Sequence, residues 1–241
     1  MSRNILILGA SSDVGIRLIE YLNEKEENVT IIAHYNSSKT ELEQIQAKKG
    51  NGIIPLQANL AEENDVIRLI ENVKTNGIPD SIIHLPAPKL QYVKFKDQKW
   101  EDCVNDIQIQ VGSVYKILQV FLPKMLKGER RAKVVFMLSE NTVELPAKFT
   151  AKYTMSKYML LGLLKELTAE YSGKNANINA LSPSMINTKL LSNIDRRMLE
   201  VSGITDTMLE VDDVLPYIIK LVSKDSDNLF GENIHIPRRQ K

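Results

Sequence analysis

Cysteine, long apolar runs and an excess of either charge are all scarce in this sequence. A single cysteine, Cys103, cannot form an internal disulfide, so we expect a reducing compartment, the cytoplasm. No stretch approaches the ~20 apolar residues of a membrane span, and the first residues lack the pattern of a secretory signal. The formal net charge of +1 predicts no membrane partner and no nucleic-acid partner.

Histidine is scarce as well. The three positions, His34, His84 and His235, lie far apart in strand-like segments and lack the spacing of metal ligands. We therefore expect no metal site. Basic residues occur in several clusters, but these are spread along the chain and mixed with acids, which is typical of solvated surface.

Apolar residues are plentiful enough for one sizeable core. Of 241 residues, 43% are hydrophobic and 25% charged, which suits one α/β domain over residues 1–241. Short apolar runs alternate with amphipathic segments, and this predicts a doubly wound, Rossmann-like parallel sheet of about seven strands with helices on both faces. The predicted strands are 5–8, 29–33, 53–57, 81–85, 133–138, 176–181 and 233–236, and the main later helices are 100–127, 153–171 and 214–222.

Two connecting segments carry further predictions. Ser38-Lys-Thr-Glu41 has the pattern of a capping box, which predicts a helix from there to about Gly50. Residues 189–209 have no clear period and follow the sixth strand. We expect them to form a mobile segment that covers a substrate.

The first strand leads into a glycine-rich turn. Apolar residues 5–8 are followed by Gly9, a small-residue turn and Gly15, where an apolar helix begins. Glycines let the backbone approach a ligand closely, and the free N–H groups of a helix start attract phosphate. This arrangement predicts the first βα unit of a dinucleotide site. The residues proposed to contact the cofactor here are Gly9, Ser11, Ser12, Asp13 and Val14.

A second pattern is Tyr153-Thr-Met-Ser-Lys157. A tyrosine and a lysine four residues apart share one helix face. A nearby ammonium favours the phenolate, so we expect the pKa of Tyr153 to be lowered and the side chain to donate and accept protons. The alternative is a half-buried ring beside a surface amine.

Taken together, these motifs resemble the short-chain dehydrogenase/reductase family, in a divergent form of the 3-oxoacyl-reductase-like type. Residues 9–15 resemble the family's TGxxxGxG turn, Tyr153 and Lys157 match YxxxK, and Ser182-Pro183-Ser184-Met-Ile186-Asn-Thr188 resembles PGxIxT. The resemblance implies hydride transfer between a nicotinamide and a small carbonyl or alcohol substrate. Tyr153 would be the proton donor, Lys157 would tune it and hold the nicotinamide ribose, and Thr188 would lie at the carboxamide.

The resemblance also implies the rest of the cofactor site and bears on the choice of nucleotide. An acid that would bond a ribose 2′-hydroxyl is missing after the second strand until Glu41. Asn36, Ser37, Ser38 and Lys39, with the serines of the turn, could accept a 2′-phosphate. We expect NADP(H), with NAD(H) as the alternative. The remaining implied cofactor positions are Asn59, Leu60, Ala87, Pro183 and Ile186.

Several positions depart from the family pattern. Asp13 replaces the middle glycine of the turn and must point away from a diphosphate or weaken its binding. Pro86 and Pro88 stand in the segment that replaces NNAG. Gln110 stands where the family has a catalytic asparagine and could still hold a relay water. The catalytic serine position falls on Ser139 or on Glu140, and the alternatives stay open.

The departures leave other functions open. One alternative is a reductase-like binding or regulatory subunit with weak or lost catalysis. Another is an epimerase or dehydratase, for which the chain has little room. The helix 153–171 is apolar nearly all the way round, which predicts a homo-oligomer, a dimer or tetramer, through helices 100–127 and 153–171. Burial of this helix by the C-terminal segment is the other explanation.

Overall fold

The computed structural model describes residues 3–195, 197, 199 and 205–240. Within them, seven parallel strands form one sheet in the order β3-β2-β1-β4-β5-β6-β7. Helices cover both faces, so the predicted doubly wound fold is confirmed. The strands are β1 Arg3–Leu8, β2 Val29–Tyr35, β3 Gly52–Gln57, β4 Ser81–His84, β5 Ala132–Met137, β6 Ala176–Pro183 and β7 Asn233–Ile236.

Seven α-helices of the described chain connect or flank these strands. One π-helical turn, Gln108–Gly112, joins the fourth helix to the fifth, so the predicted helix 100–127 is continuous in direction but changes its winding. None of the described helices has the length and apolarity needed to cross a membrane. The helices are α1 Asp13–Lys25, α2 Thr40–Gln44, α3 Glu63–Thr75, α4 Trp100–Ile107, α5 Ser113–Met125, α6 Ala151–Glu170 and α7 Val211–Val222.

The alternation of side chains along each strand builds two apolar cores. Ile5 and Ile7 of β1 pack in a core with α1 and α7, while Leu6 and Leu8 face the other core, with α3, α5 and α6. Both faces of the sheet are thus covered, which explains why the strands are continuous apolar runs. The central strands end at one edge of this layered structure, and the candidate site lies there.

The predicted helix from Ser38 to about Gly50 is wrong in extent and in its cap. The helix α2 is five residues long, begins after Lys39 and has no side-chain cap at its start. The chain beyond it is held by Asn23 of α1, whose amide nitrogen donates to the Gln46 carbonyl at 2.8 Å and whose amide oxygen accepts from the Lys48 N–H at 2.9 Å. These bonds compete with helix continuation, because they take up the backbone groups that a longer helix would need.

The segment after β6 is more ordered than its lack of period suggests, where it is described. Residues Lys189–Leu191 form a 3₁₀ turn, and Ile186 forms an isolated bridge with Leu209. Leu191 and Leu199 are buried against Leu90. Residues 196, 198 and 200–204 of the predicted covering segment lie outside the described residues, and its mobility stays a prediction.

The glycine at position 15 is required by close packing at the start of α1. A Cβ atom there would lie 2.5 Å from the Ala10 carbonyl oxygen. We expect Gly15→Ala to lower the free energy of unfolding by about 2 kcal/mol, within the usual range for overpacking. Equilibrium urea unfolding measures this. Gly52→Ala on β3 is the matched control, because its Cβ would meet only the Thr30 side chain at 3.9 Å, and it should lose no stability. Equal stability of both variants would contradict the prediction.

Candidate active site

A cavity of about 500 Å³ opens at the carboxyl ends of the central strands. The strand order reverses between β1 and β4, and ligands of doubly wound sheets bind at such a switch point. Most of the predicted site residues meet in its wall. They are Gly9, Ser11, Ser12, Asp13, Val14, Asn36, Ser37, Asn59, Leu60, Ala87, Ser139, Tyr153, Lys157, Pro183, Ile186 and Thr188.

The turn after β1 is held in place by the hydroxyl of Ser12, which belongs to the turn, and by the buried His34. Ser12 caps α1, because its Oγ accepts from the Gly15 N–H at 3.1 Å and donates to the Gly9 carbonyl at 2.8 Å. Gly9 has φ of +75°, a conformation that glycine adopts readily. The Gly9 N–H donates to His34 Nδ1 at 3.1 Å, and His34 Nε2 lies 3.1 Å from the Ala58 carbonyl oxygen.

His34 is a site residue that sequence reasoning missed. Burial lowers its pKa to about 4, so the ring is neutral and its Nδ1 is free to accept from Gly9. It thereby joins the turn after β1 to the ends of β2 and β3. The only signal in the sequence is a histidine in an apolar strand end, which does not reveal its two partners.

Asp13 does not point away from the cavity. Its Oδ2 accepts from the Lys189 backbone N–H at 2.6 Å, and the Lys189 ammonium lies 3.4 Å from its Oδ1. The carboxylate therefore reaches from the start of α1 to the segment that follows Thr188. These are two walls of the same cavity.

The Tyr153 and Lys157 side chains lie together on α6. Lys157 is 1% exposed, and its ammonium donates to the Met137 carbonyl at the end of β5 at 2.8 Å. The same nitrogen lies 5.4 Å from the centre of the Tyr153 ring. Burial lowers the pKa of Lys157 to about 7.

The expected lowering of the Tyr153 pKa is wrong for this structure. Burial raises the pKa of Tyr153, and the carboxylate of Glu140 raises it further, while a hydrogen bond with Ser139 acts in the opposite direction. Burial disfavours the phenolate, and the ammonium that was expected to stabilise it is itself partly deprotonated near neutral pH because its pKa is about 7. Tyr153 therefore carries its proton at neutral pH.

The structure distinguishes Ser139 from Glu140. The Ser139 hydroxyl lies near enough to Tyr153 to act against the rise of its pKa, whereas the Glu140 carboxylate is paired with the Arg238 guanidinium at 3.3 Å. Both residues line the cavity. Tyr92 lies near this ion pair, and burial raises its pKa, with Arg238 opposing the rise. The cavity thus has one polar wall beside Tyr153.

Gln110 is the predicted catalytic residue that the structure does not bring to the cavity wall. It lies in the π-helical turn, fully buried, and neither atom of its amide has a partner among the described residues. Both ring nitrogens of the buried His84 on β4 also lack a partner there. The change in helical winding determines where the Gln110 side chain lies, and a motif position does not reveal it.

The residues considered for a 2′-phosphate are only partly brought together. Asn36 and Ser37 line the cavity, whereas Ser38 and Lys39 do not. The Lys39 ammonium pairs with Glu43 at 2.8 Å, one helical turn along. The Asn59 side chain accepts from the Ala61 N–H at 3.1 Å and stays at the cavity wall.

The residues of this cavity fit a nicotinamide dinucleotide at most positions. The close turn at Gly9, the start of α1 and the buried Lys157 ammonium all line one cavity, and they are groups that suit a diphosphate and a ribose diol. Asp13 is the exception, because its carboxylate lies where a diphosphate would bind. Among the described residues, no group of three or more His, Cys, Asp or Glu side chains could hold a metal ion.

Lys157 makes the stability of the protein depend on pH. Its folded pKa of about 7 lies below the usual 10.5, so between these values the unfolded chain binds more protons, and the wild type gains stability as pH rises. Lys157→Met removes this dependence. We expect the free energy of unfolding of Lys157→Met to exceed that of the wild type by the largest amount at pH 7 or below. This difference should narrow by up to about 3 kcal/mol by pH 9.5. Urea unfolding of both proteins at several pH values measures this, and a constant difference would contradict it.

Comparison with known proteins agrees with this geometry. The family model described as short chain dehydrogenase matches residues 3–199. The chain is 23% identical to a 3-oxoacyl-[acyl-carrier-protein] reductase FabG of Buchnera aphidicola subsp. Baizongia pistaciae, covering 96% of this chain and 94% of that one. It is also 23% identical to an acetoacetyl-CoA reductase of Allochromatium vinosum, covering 98% and 97%.

Solved structures share the fold. A 3-oxoacyl (acyl-carrier-protein) reductase of Agrobacterium tumefaciens C58 with NADP bound superposes with a TM-score of 0.83 at 21% identity, covering 97% of this chain and 92% of that one. A 4-hydroxyisoleucine dehydrogenase complexed with NADH gives a TM-score of 0.82 at 20% identity, covering 98% and 97%. With the family model matching most of its length, the chain belongs to the short-chain dehydrogenase family.

Proposed function

We propose that this protein is an NADPH-dependent reductase of a small carbonyl compound. The single observation that supports this most strongly is that Tyr153, Ser139 and the buried Lys157 line one cavity, with the Lys157 nitrogen 5.4 Å from the centre of the Tyr153 ring. A binding subunit without catalysis would have little use for a buried lysine, because desolvating an ammonium costs free energy. Two of the relatives named above are a 3-oxoacyl-[acyl-carrier-protein] reductase and an acetoacetyl-CoA reductase, so acetoacetyl-CoA is among the first substrates to test.

The roles of the side chains follow from their protonation. When bound, the nicotinamide would supply or accept the hydride. The Tyr153 hydroxyl, protonated at neutral pH, would give its proton to the carbonyl oxygen of the substrate. Ser139 would hold that oxygen beside Tyr153 by a second hydrogen bond. Lys157, with a pKa of about 7, would bind the ribose diol and restore the proton to Tyr153.

The choice of NADPH rests on the rim of the cavity near β2. Asn36 and Ser37 line it with neutral hydrogen-bonding groups, and Glu41, the first acid after β2, is paired with Lys189 instead of facing a ribose. Among the described residues, this rim offers a 2′-phosphate no unpaired carboxylate, which favours NADPH over NADH. Of the two solved relatives, one has NADP bound and the other has NADH bound.

The rest of the cavity suits a substrate with an apolar part. Leu90, Leu191 and Leu199 form an apolar cluster against which Tyr153 and Met185 pack. Glu140, which is paired with Arg238, also lines the cavity. We propose a small substrate whose apolar portion packs against this cluster while its carbonyl oxygen meets Tyr153.

We also propose that the protein is a homo-oligomer through α4, α5 and α6. These helices expose large apolar side chains, and monomers rarely expose contiguous apolar surface. Gly162 lies on α6, and no described atom outside the helix lies within 4 Å of the position that a Cβ atom would take there. A second copy of the chain, using the same face, would cover them. The exposed residues are Trp100, Val104, Tyr115, Met155, Tyr158 and Met159.

Replacing the proposed proton donor tests the reaction. We expect Tyr153→Phe to lower the rate of NADPH-dependent reduction of acetoacetyl-CoA, or of the best substrate in a panel of small ketones, by at least ~100-fold. Binding of NADPH, measured by nucleotide fluorescence, should change by less than about threefold, since the variant keeps the ring. NADPH should bind to both proteins more tightly than NADH does.

Tyr158→Phe is the matched control, because Tyr158 is exposed on the same helix outside the cavity. Turnover of that variant should equal the wild-type value. Unchanged turnover in Tyr153→Phe would reject the mechanism, equal binding of NADH and NADPH would reject the cofactor choice, and activity in neither protein would favour the binding-subunit alternative.

A charge on the exposed face of α6 tests the assembly. We expect Tyr158→Glu to convert the oligomer to monomers, because an ionised carboxylate is costly to bury in an apolar contact. Light scattering measures the molar mass. Tyr217→Glu on α7, at 37% exposure on the other side of the sheet, is the control and should keep the wild-type mass. A monomeric wild type would refute the proposed interface.

A further inference from the structure

Asp13 is the centre of a small charged cluster at the edge of the cavity. Its carboxylate accepts from the Lys189 backbone N–H at 2.6 Å and lies 3.4 Å from the Lys189 ammonium. That ammonium is also paired with Glu41 at 2.5 Å. Two carboxylates therefore share one ammonium, and the cluster keeps a net negative charge. It joins three separate elements, α1, α2 and the segment after β6.

The position of this cluster conflicts with the chemistry of the turn beside it. Asp13 is the first residue of α1, directly after the cap Ser12, and it lines the cavity. A helix start with free N–H groups attracts phosphate, because it carries partial positive charge. The Asp13 carboxylate supplies a negative charge to the same region before any ligand arrives.

We infer that the Asp13 carboxylate competes with the diphosphate of the coenzyme for the start of α1 and so holds the affinity for nicotinamide dinucleotides low. This rests on the proposed function, since it concerns the coenzyme of that reaction. A diphosphate at α1 must approach Asp13, and two negative charges at close range repel one another strongly where water is partly excluded. Binding therefore requires the carboxylate to give up its contact with Lys189 or to tolerate the repulsion.

The experiment separates the charge of Asp13 from its hydrogen bond. Asp13→Asn removes the charge but keeps an oxygen that can accept from the Lys189 N–H, and Asp13→Gly removes both. NADPH and NADH are titrated against wild type and both variants by nucleotide fluorescence. We expect Asp13→Asn to lower the dissociation constant for NADPH and for NADH by about tenfold or more, and Asp13→Gly to do likewise.

Glu20→Gln is the control for net charge, because Glu20 lies on α1 outside the cavity and pairs with Arg17. It should leave both dissociation constants within about twofold of wild type. Thermal unfolding without nucleotide establishes that each variant is folded.

The outcomes distinguish this inference from the proposed function. Tighter binding in Asp13→Asn supports the inference, including the case in which the wild type binds too weakly to measure. Measurable binding by the wild type that Asp13→Asn leaves unchanged overturns the inference and leaves the proposed function standing. Failure of the wild type and both variants to bind either nucleotide, with all proteins folded, overturns both.

Discussion

The buried ammonium of Lys157 is the constraint on which the candidate site depends. Its hydrogen bond to the Met137 carbonyl fastens α6 to the end of β5 at the wall of the cavity. Tyr153, one turn earlier on the same helix, lines the same cavity as Ser139, which follows β5. Burying this charge costs stability, and the cost lowers its pKa to about 7. Lys157 therefore gains or loses its proton close to neutral pH.

The two ends of the cavity have opposite electrostatic character. At the end near Tyr153, a lysine is buried with no carboxylate partner among the described residues, and the nearby carboxylate of Glu140 is paired with Arg238. At the end near the start of α1, Asp13 adds a negative charge where the helix start would otherwise favour anions. Thr188 and Lys189 both line the cavity, and Lys189 bonds Asp13 through its backbone N–H.

The elements were predictable where one local pattern decides the structure. Strands such as β5 are short apolar runs bounded by polar residues, and all seven were found within a few residues of their ends. The extent of the helix after Ser38 was not predictable in this way. Asn23, on a different helix, hydrogen-bonds with the backbone of Gln46 and Lys48 and holds the chain there away from helical geometry. The π-helical turn at Gln108–Gly112 was not predicted either. The apolar residues Val104, Ile107, Val111 and Val114 keep three- and four-residue spacing across it, so the sequence alone indicates an unbroken α-helix.

The sequence by itself determined the order of strands and helices, the turn between Gly9 and Gly15, and the sharing of one helix face by Tyr153 and Lys157. These features depend on neighbours within a few residues, so periodicity and spacing reveal them. Only the tertiary structure decided that Glu140 pairs with Arg238, that Gln110 is buried outside the cavity lining, and that Asp13 bonds Lys189. Those outcomes depend on which side chains, distant in the sequence, come into contact when the helices pack on the sheet, and on how strongly burial shifts the pKa of each charged group.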